Sequence, residues 1–95
     1  MDIQLEQSET KGAFYITQNG ERLAEMTFSR AGNNLIIIDH TEVSDKLRGT
    51  GAGKQLVEAA VTFTRNNQLK VLPLCPFARA VFEKNKAYSD VLSTA

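Results

Sequence analysis

Three groups of residues have the types and spacing to do chemistry. The first is Arg48-Gly49-Thr50-Gly51-Ala52-Gly53-Lys54, in which three glycines alternate with small residues between two cationic side chains. Glycines let a backbone approach a ligand and present successive N–H groups. Where such a run opens a helix, the helix N-terminus adds partial positive charge, so the segment is suited to a phosphate or pyrophosphate. The second group is His40 and Glu42, which fall on one side of a strand because they stand two apart. An imidazole, or a carboxylate raised by burial, can take a proton from an amine directly or through water; a histidine on an apolar strand is also often only hydrogen-bonded. The third is Cys75, the lone cysteine, followed by Pro76, which suits the first position of a helix. Its sulfur should lie near a helix N-terminus with a lowered thiol pKa, able to act as an acid or, with His40 nearby, as a nucleophile that forms an acyl-cysteine. It is equally a small buried hydrophobe.

The spacing of the glycines narrows the ligand. A P-loop needs a glycine five residues before Gly53, where Arg48 stands, and a hydroxyl after Lys54, where Gln55 stands. Nucleoside triphosphate hydrolysis is thereby excluded. The dinucleotide fingerprint puts Lys54 where its third glycine belongs and needs a parallel sheet before it, so nicotinamide binding is disfavoured.

The elements that must position these groups follow from periodicity. Ile3 to Gln7 alternates, Ala13 to Gln18 is rich in aromatic and β-branched residues, and Asn19-Gly20 is a strong hairpin signal. In Arg22 to Arg30, Ala24, Met26 and Phe28 share one face and Glu25, Thr27 and Ser29 the other; Gly32-Asn33-Asn34 then turns the chain. Leu35 to Val43 begins as an apolar run, expected to be buried on both faces, and ends polar. Leu56, Val57, Ala60, Val61 and Thr64 recur at helical spacing, predicting a helix from about Gly51 to Asn66. Lys70 to Leu74 reads as a strand laid parallel to Leu35–Val43 by a crossover, and Pro76 opens a helix through about Lys86. A last helical turn is expected at Tyr88 to Leu92, so the order is ββββαβα.

Composition sets the boundaries. The 95 residues suit a single domain over 1–95, and 42% hydrophobic with 23% charged residues is a globular composition. Eleven basic against eleven acidic side chains give no net charge, so neither nucleic acid nor an anionic membrane is an expected partner. One cysteine excludes an intrachain disulfide and a Cys-rich metal site, and no metal is expected. No signal peptide or spanning run is recognised, and a reducing cytoplasm is the expected location. The neutrality conceals a division: residues 1–47 carry four basic and eight acidic side chains, residues 48–95 seven and three.

Arg48-x-x-Gly51-x-Gly53 between a strand and a helix resembles the pyrophosphate-binding motif of the GCN5-related N-acetyltransferases. The similarity runs from about Leu35 to Lys84 and includes His40-Thr41-Glu42-Val43 before the loop and Cys75-Pro76-Phe77-Ala78 after the next strand, as in small single-domain proteins of that kind. The resemblance implies an α/β (α+β) fold, a truncated acyl-CoA N-acyltransferase fold with a mixed, mainly antiparallel sheet, one crossover helix and a short C-terminal helix. It also implies an acetyl-CoA cosubstrate held by the backbone of Val43 and of Arg48, Gly49, Thr50, Gly51, Ala52, Gly53 and Lys54. His40, Glu42 and Cys75 become the candidate catalytic residues for acetyl transfer to an amine. A non-catalytic acyl-CoA-binding module is the alternative. The chain departs from larger members: Phe82 stands where they often carry a tyrosine acid, and Gln7 to Gly12 is too short for the helices that enclose an acceptor. An open pocket of this kind suits a protein or peptide amine, or completion by a second copy in a homodimer, and the sequence leaves both open.

Overall fold

The computed structural model describes residues 2–93. Four strands run antiparallel in sequence order, β1 (Gln4–Gln7), β2 (Lys11–Gln18), β3 (Glu21–Ala31) and β4 (Leu35–Val43), and β5 (Lys70–Pro73) adds parallel to β4. Helix α1 (Ala52–Asn66) makes the crossover and α2 (Pro76–Lys84) follows β5. The β2–β3 hairpin turns at Asn19-Gly20 with φ of 52° and 79°, the two positive values that a tight turn matching the strand twist requires.

Cross-strand register sorts the side chains onto two faces. The rows Gly12–Phe28–Ile38 and Phe14–Met26–Thr41 point toward α1, and Glu6–Ala13–Thr27–His40 and Gln4–Tyr15–Glu25–Glu42 point away from it. The first face is the core. Phe14, Met26, Phe28, Ile36 and Ile38 meet Leu56, Val57, Ala60 and Val61 of α1, and Phe63 stacks its ring 5.7 Å from that of Phe14 and 6.0 Å from that of Phe28. Gly12 is required there, because a Cβ at that position would lie 2.3 Å from Cζ of Phe28.

The other face differs from expectation. Helix α2 and the C-terminal 3₁₀ segment Lys86–Val91 pack on the α1 side, so no described helix covers the opposite face. Ile36 and Ile38 are fully buried, but Leu35 and Ile37 are only half-buried, and β4 is not enclosed on both sides as its apolar run predicted. Two boundaries also move. Helix α2 stops at Lys84 rather than near Lys86, where the Asn85 side-chain amide donates to the Val81 carbonyl at 2.7 Å. The expected last helical turn is instead that 3₁₀ segment, tied down by a forked Arg65–Asp90 ion pair (2.8 and 2.9 Å) and by the Tyr88 ring against Phe82. Beyond it, Leu92 bridges Val71, so the outer edge of β5 is partly covered. No helix among the described residues is long and apolar enough to cross a membrane.

The Gly12–Phe28 contact gives a stability test. Gly12→Ala should cost about 1–3 kcal/mol through overpacking, read as a lower urea midpoint, and Phe28→Leu in the same chain should reduce that cost. Equal penalties in both backgrounds would contradict the packing.

Candidate active site

The site is built around an irregularity in β4. Phe28 faces Ile38, but the next pair is Thr27 with His40, so Asp39 is an extra residue in the ladder. Its carboxylate accepts a hydrogen bond from the Ser29 hydroxyl at 2.7 Å. Beyond the bulge the facing of β4 is reset. Thr41 turns toward the helices, whereas His40 and Glu42 turn onto the open face, their side chains 61% and 72% exposed and Nε2 of His40 3.2 Å from a Glu42 carboxylate oxygen. The two residues share a side, as their spacing predicts.

At the same place β4 parts from β5. Their pairing ends at Ile38 with Pro73, and the N–H groups of Leu74 and Cys75 converge on the Ile38 carbonyl at 3.1 and 3.2 Å. Ser44 donates its N–H to Leu23 across β3 at 2.7 Å. Strand alternation therefore turns the Val43 amide the other way, toward the gap that β5 has left. Cys75 sits in that gap as the N-cap of α2, only 6% exposed. Burial pushes its thiol pKa up, but the Thr41 hydroxyl 3.3 Å away and the N–H groups of Ala78, Phe77 and Thr41 outweigh it, and the net shift is downward. The lowered thiol agrees with the expectation from its helix-terminal position. The partner does not: the sulfur contacts Thr41, while His40 is on the opposite face of β4. Thr41 is the residue that sequence reasoning passed over, although its parity, opposite to that of its neighbours, was a usable signal.

The glycine-rich loop enters α1 through a 3₁₀ turn, Asp45–Leu47, pinned by buried Leu47 and by the Thr50 hydroxyl donating to the Leu47 carbonyl at 2.6 Å. Gly49 and Gly51 have φ of 79° and 78°, a conformation costly for any residue with a Cβ. Gly51 is the N-cap. The first intrahelical bond runs from Gln55 N–H to the Gly51 carbonyl at 3.0 Å, so the amides of Ala52, Gly53 and Lys54 have no helical acceptor. No side chain caps them and no acidic residue occupies the first turn, where one would compete with an anion. Gly53 has a different reason to be glycine: a Cβ there would lie 2.6 Å from the Phe77 ring of α2. Arg48 is paired with Asp45 at 2.8 Å, but both side chains are more than four-fifths exposed, so the pair is weak and the guanidinium can be recruited by a stronger anion. Lys54, in the first turn of α1, is also exposed. Val43, Leu74 and Phe77, three of the four exposed large hydrophobic residues among the described ones, lie on the segments bordering the gap.

The arrangement therefore brings anion-accepting amides, an open strand edge and a thiol to one side, and an imidazole–carboxylate pair to the other. Among the described residues no cluster of His, Cys, Asp and Glu could hold a metal ion. The Cys75–Thr41 contact can be read by alkylation with iodoacetamide, since the thiolate is the reactive form. The lowered pKa means that the native thiol reacts at lower pH than the thiol of the unfolded chain. Thr41→Val should move the rate–pH profile to higher pH and Thr41→Ser should restore it; a Thr41→Val profile that overlays the parent would contradict the contact.

Comparison with known proteins places this geometry. A family model described as GCN5-related N-acetyl-transferase matches residues 13–91. Protein NATD1 of Gallus gallus is 30% identical over 84 residues, covering 87% of this chain and 76% of the chicken protein. The solution structure of a GCN5-like protein from Staphylococcus aureus is 43% identical, with a TM-score of 0.73 over 97% of this chain and 89% of that one. An acetyltransferase from Elizabethkingia anophelis with acetyl-CoA bound shares the fold, at a TM-score of 0.58 and 17% identity over 67% of this chain and 42% of its own. From the second strand to the last 3₁₀ segment, sequence and architecture agree, and the chain belongs to the GCN5-related N-acetyltransferase family.

Proposed function

We propose that this protein transfers the acetyl group of acetyl-CoA to an amine. The observation that carries the reading is the coincidence, at one end of the sheet, of three unclaimed α1 amides with a strand gap that runs to Cys75. The amides of Ala52, Gly53 and Lys54, with the left-handed Gly49 and Gly51 keeping side chains away, would hold the pyrophosphate of the cosubstrate. Arg48 and Lys54 would add charge. The Val43 amide, turned into the gap, would bond the pantetheine arm. Acetyl-CoA bound in the Elizabethkingia relative supports the choice of cosubstrate.

The transfer itself requires a neutral amine, and His40 on the open face would take the proton of the incoming ammonium, with Glu42 beside it orienting the ring and stabilising its charge. The amine nitrogen then forms the amide bond as the carbon–sulfur bond of the thioester breaks, and the second proton of the nitrogen passes to water, from which Cys75 regains the proton it gives up. The departing thiolate needs a proton, which Cys75 would supply while the Thr41 hydroxyl and the surrounding N–H groups accommodate the sulfur left charged.

Two measurements test the reading. Calorimetry with acetyl-CoA should show binding that Gly51→Val weakens by at least about tenfold, because a β-branched residue is strained at that φ. An amine panel monitored by thiol release should show turnover that His40→Ala lowers by about a hundredfold, the lower range for a positioned base. No binding would overturn the whole reading. Binding with no turnover that depends on His40 would leave an acyl-CoA-binding module. Cys75→Ala with unchanged turnover would remove the thiol from the chemistry.

A further inference from the structure

The sheet face turned away from α1 carries a cleft of about 670 Å³ spanning β1 to β4, within the range of about 300–1,000 Å³ typical of ligand sites. Its floor is low because Ala13 and Thr27 lie there between longer side chains. Ala13 is only 5% exposed although no described helix lies above it; the walls beside it, among them Glu6, Lys11 and Arg22, rise higher than its methyl group. At the β4 side the cleft ends on Asp39, the bulge residue, and the register row along the floor runs Glu6–Ala13–Thr27–His40. The floor therefore leads to the imidazole placed above as the base. Three inter-strand steps of about 4.8 Å give about 14 Å from Glu6 to His40, roughly the span of four extended residues.

The charges choose the occupant. Among the lining residues, Glu6 and Glu25 share one cation, Arg22, at 3.0 Å each, and Arg22 is further held over the Tyr15 ring at 3.8 Å. Asp39 is bonded to a neutral hydroxyl only, and Glu42 adjoins Glu25 in the next row position with a histidine as its partner. Lys11 is the one other lining cation. The face keeps an excess of carboxylate, most of it near His40.

We propose that this open face is the acceptor side, and that it receives a short extended segment of a cationic peptide whose amine is directed at His40. The inference rests on the acetyltransferase reading for its purpose but not for its test. No described helix covers this face, and a peptide lying in a shallow cleft needs no enclosure. The excess carboxylate near His40 attracts the ammonium, and the row spacing brings it to the base.

The probe is the tripeptide amide Ala-Lys-Ala, with N-acetyl-Ala-Glu-Ala amide as control, titrated into the ¹⁵N-labelled full chain with and without acetyl-CoA. The cationic peptide should shift the amides of Ala13, Thr27 and Asp39, and the control should not. Asp39→Asn with Glu25→Gln should weaken its binding by about fivefold, the scale of exposed charge pairs, as should raising salt from about 50 to about 500 mM. Neither substitution touches the loop that would hold acetyl-CoA. Shifts confined to other surfaces, no shifts, equal binding of the two peptides, or insensitivity to both charge and salt would overturn the proposal. Shifts of the same amides on simple concentration of the protein would assign the face to a second copy and overturn it as well. Loss of acetyl-CoA binding in the same samples would count against the acetyltransferase reading alone, since the peptide shifts are recorded without it.

Discussion

Everything at the site depends on β4 losing its second neighbour halfway along. As far as Ile38 the strand is paired on both edges, with β3 and with β5; beyond it, only with β3. A strand end with one bare edge inside a protein would leave unsatisfied backbone groups, and proteins pair more than about 90% of such groups. Here the bare edge opens into a gap where Cys75 and the first turn of α2 stand, and where the Val43 amide points. The bulge at Asp39 coincides with that parting and divides the chemistry between the two faces. Without the extra residue, the alternation would put Thr41 on the open face and His40 against the helices. With it, Thr41 reaches the sulfur and His40 with Glu42 reaches the outside.

The glycine loop shows two different physical demands met by one residue type. Gly49 and Gly51 are set by backbone angle, with open space where a Cβ would stand; Gly53 is set by packing, with Phe77 in that space. The first demand leaves the helix N-terminus without a side-chain cap, which costs only about a few tenths of a kcal/mol when the capping residue is glycine and makes sense where an anion supplies the missing partner. The second lets the Phe77 ring of α2 lie against the first turn of α1.

Much of this was legible in the sequence, and the reasons are local. Alternation in Arg22–Arg30 and the Asn19-Gly20 turn reported the hairpins correctly because both are short-range effects. The 3.6-residue spacing of Leu56, Val57, Ala60, Val61 and Thr64 reported the buried face of α1 for the same reason. The motif around Arg48, Gly51 and Gly53 led to the family that the comparisons show. What stayed hidden is what tertiary pairing decides. The apolar run Leu35–Ile38 reads as a doubly covered strand, yet no described helix is available for its second face. The parity of Thr41 sets it opposite His40 and Glu42, but a bulge leaves no mark in composition, so which of the two faces turns toward Cys75 is decided by strand pairing alone. The packing role of Gly53 depends on a residue 24 positions later in the chain.

The central claim is that the uncapped amides of α1 and the gap between β4 and β5 form one continuous cosubstrate site. Its most direct test is a structure of the protein with acetyl-CoA. The account predicts the pyrophosphate on the amides of Ala52 to Lys54, the pantetheine arm along Thr41 to Val43, and the thioester within reach of both Cys75 and the open face that bears His40. A diphosphate bound away from the α1 N-terminus, or a thioester lying outside the gap, would contradict it.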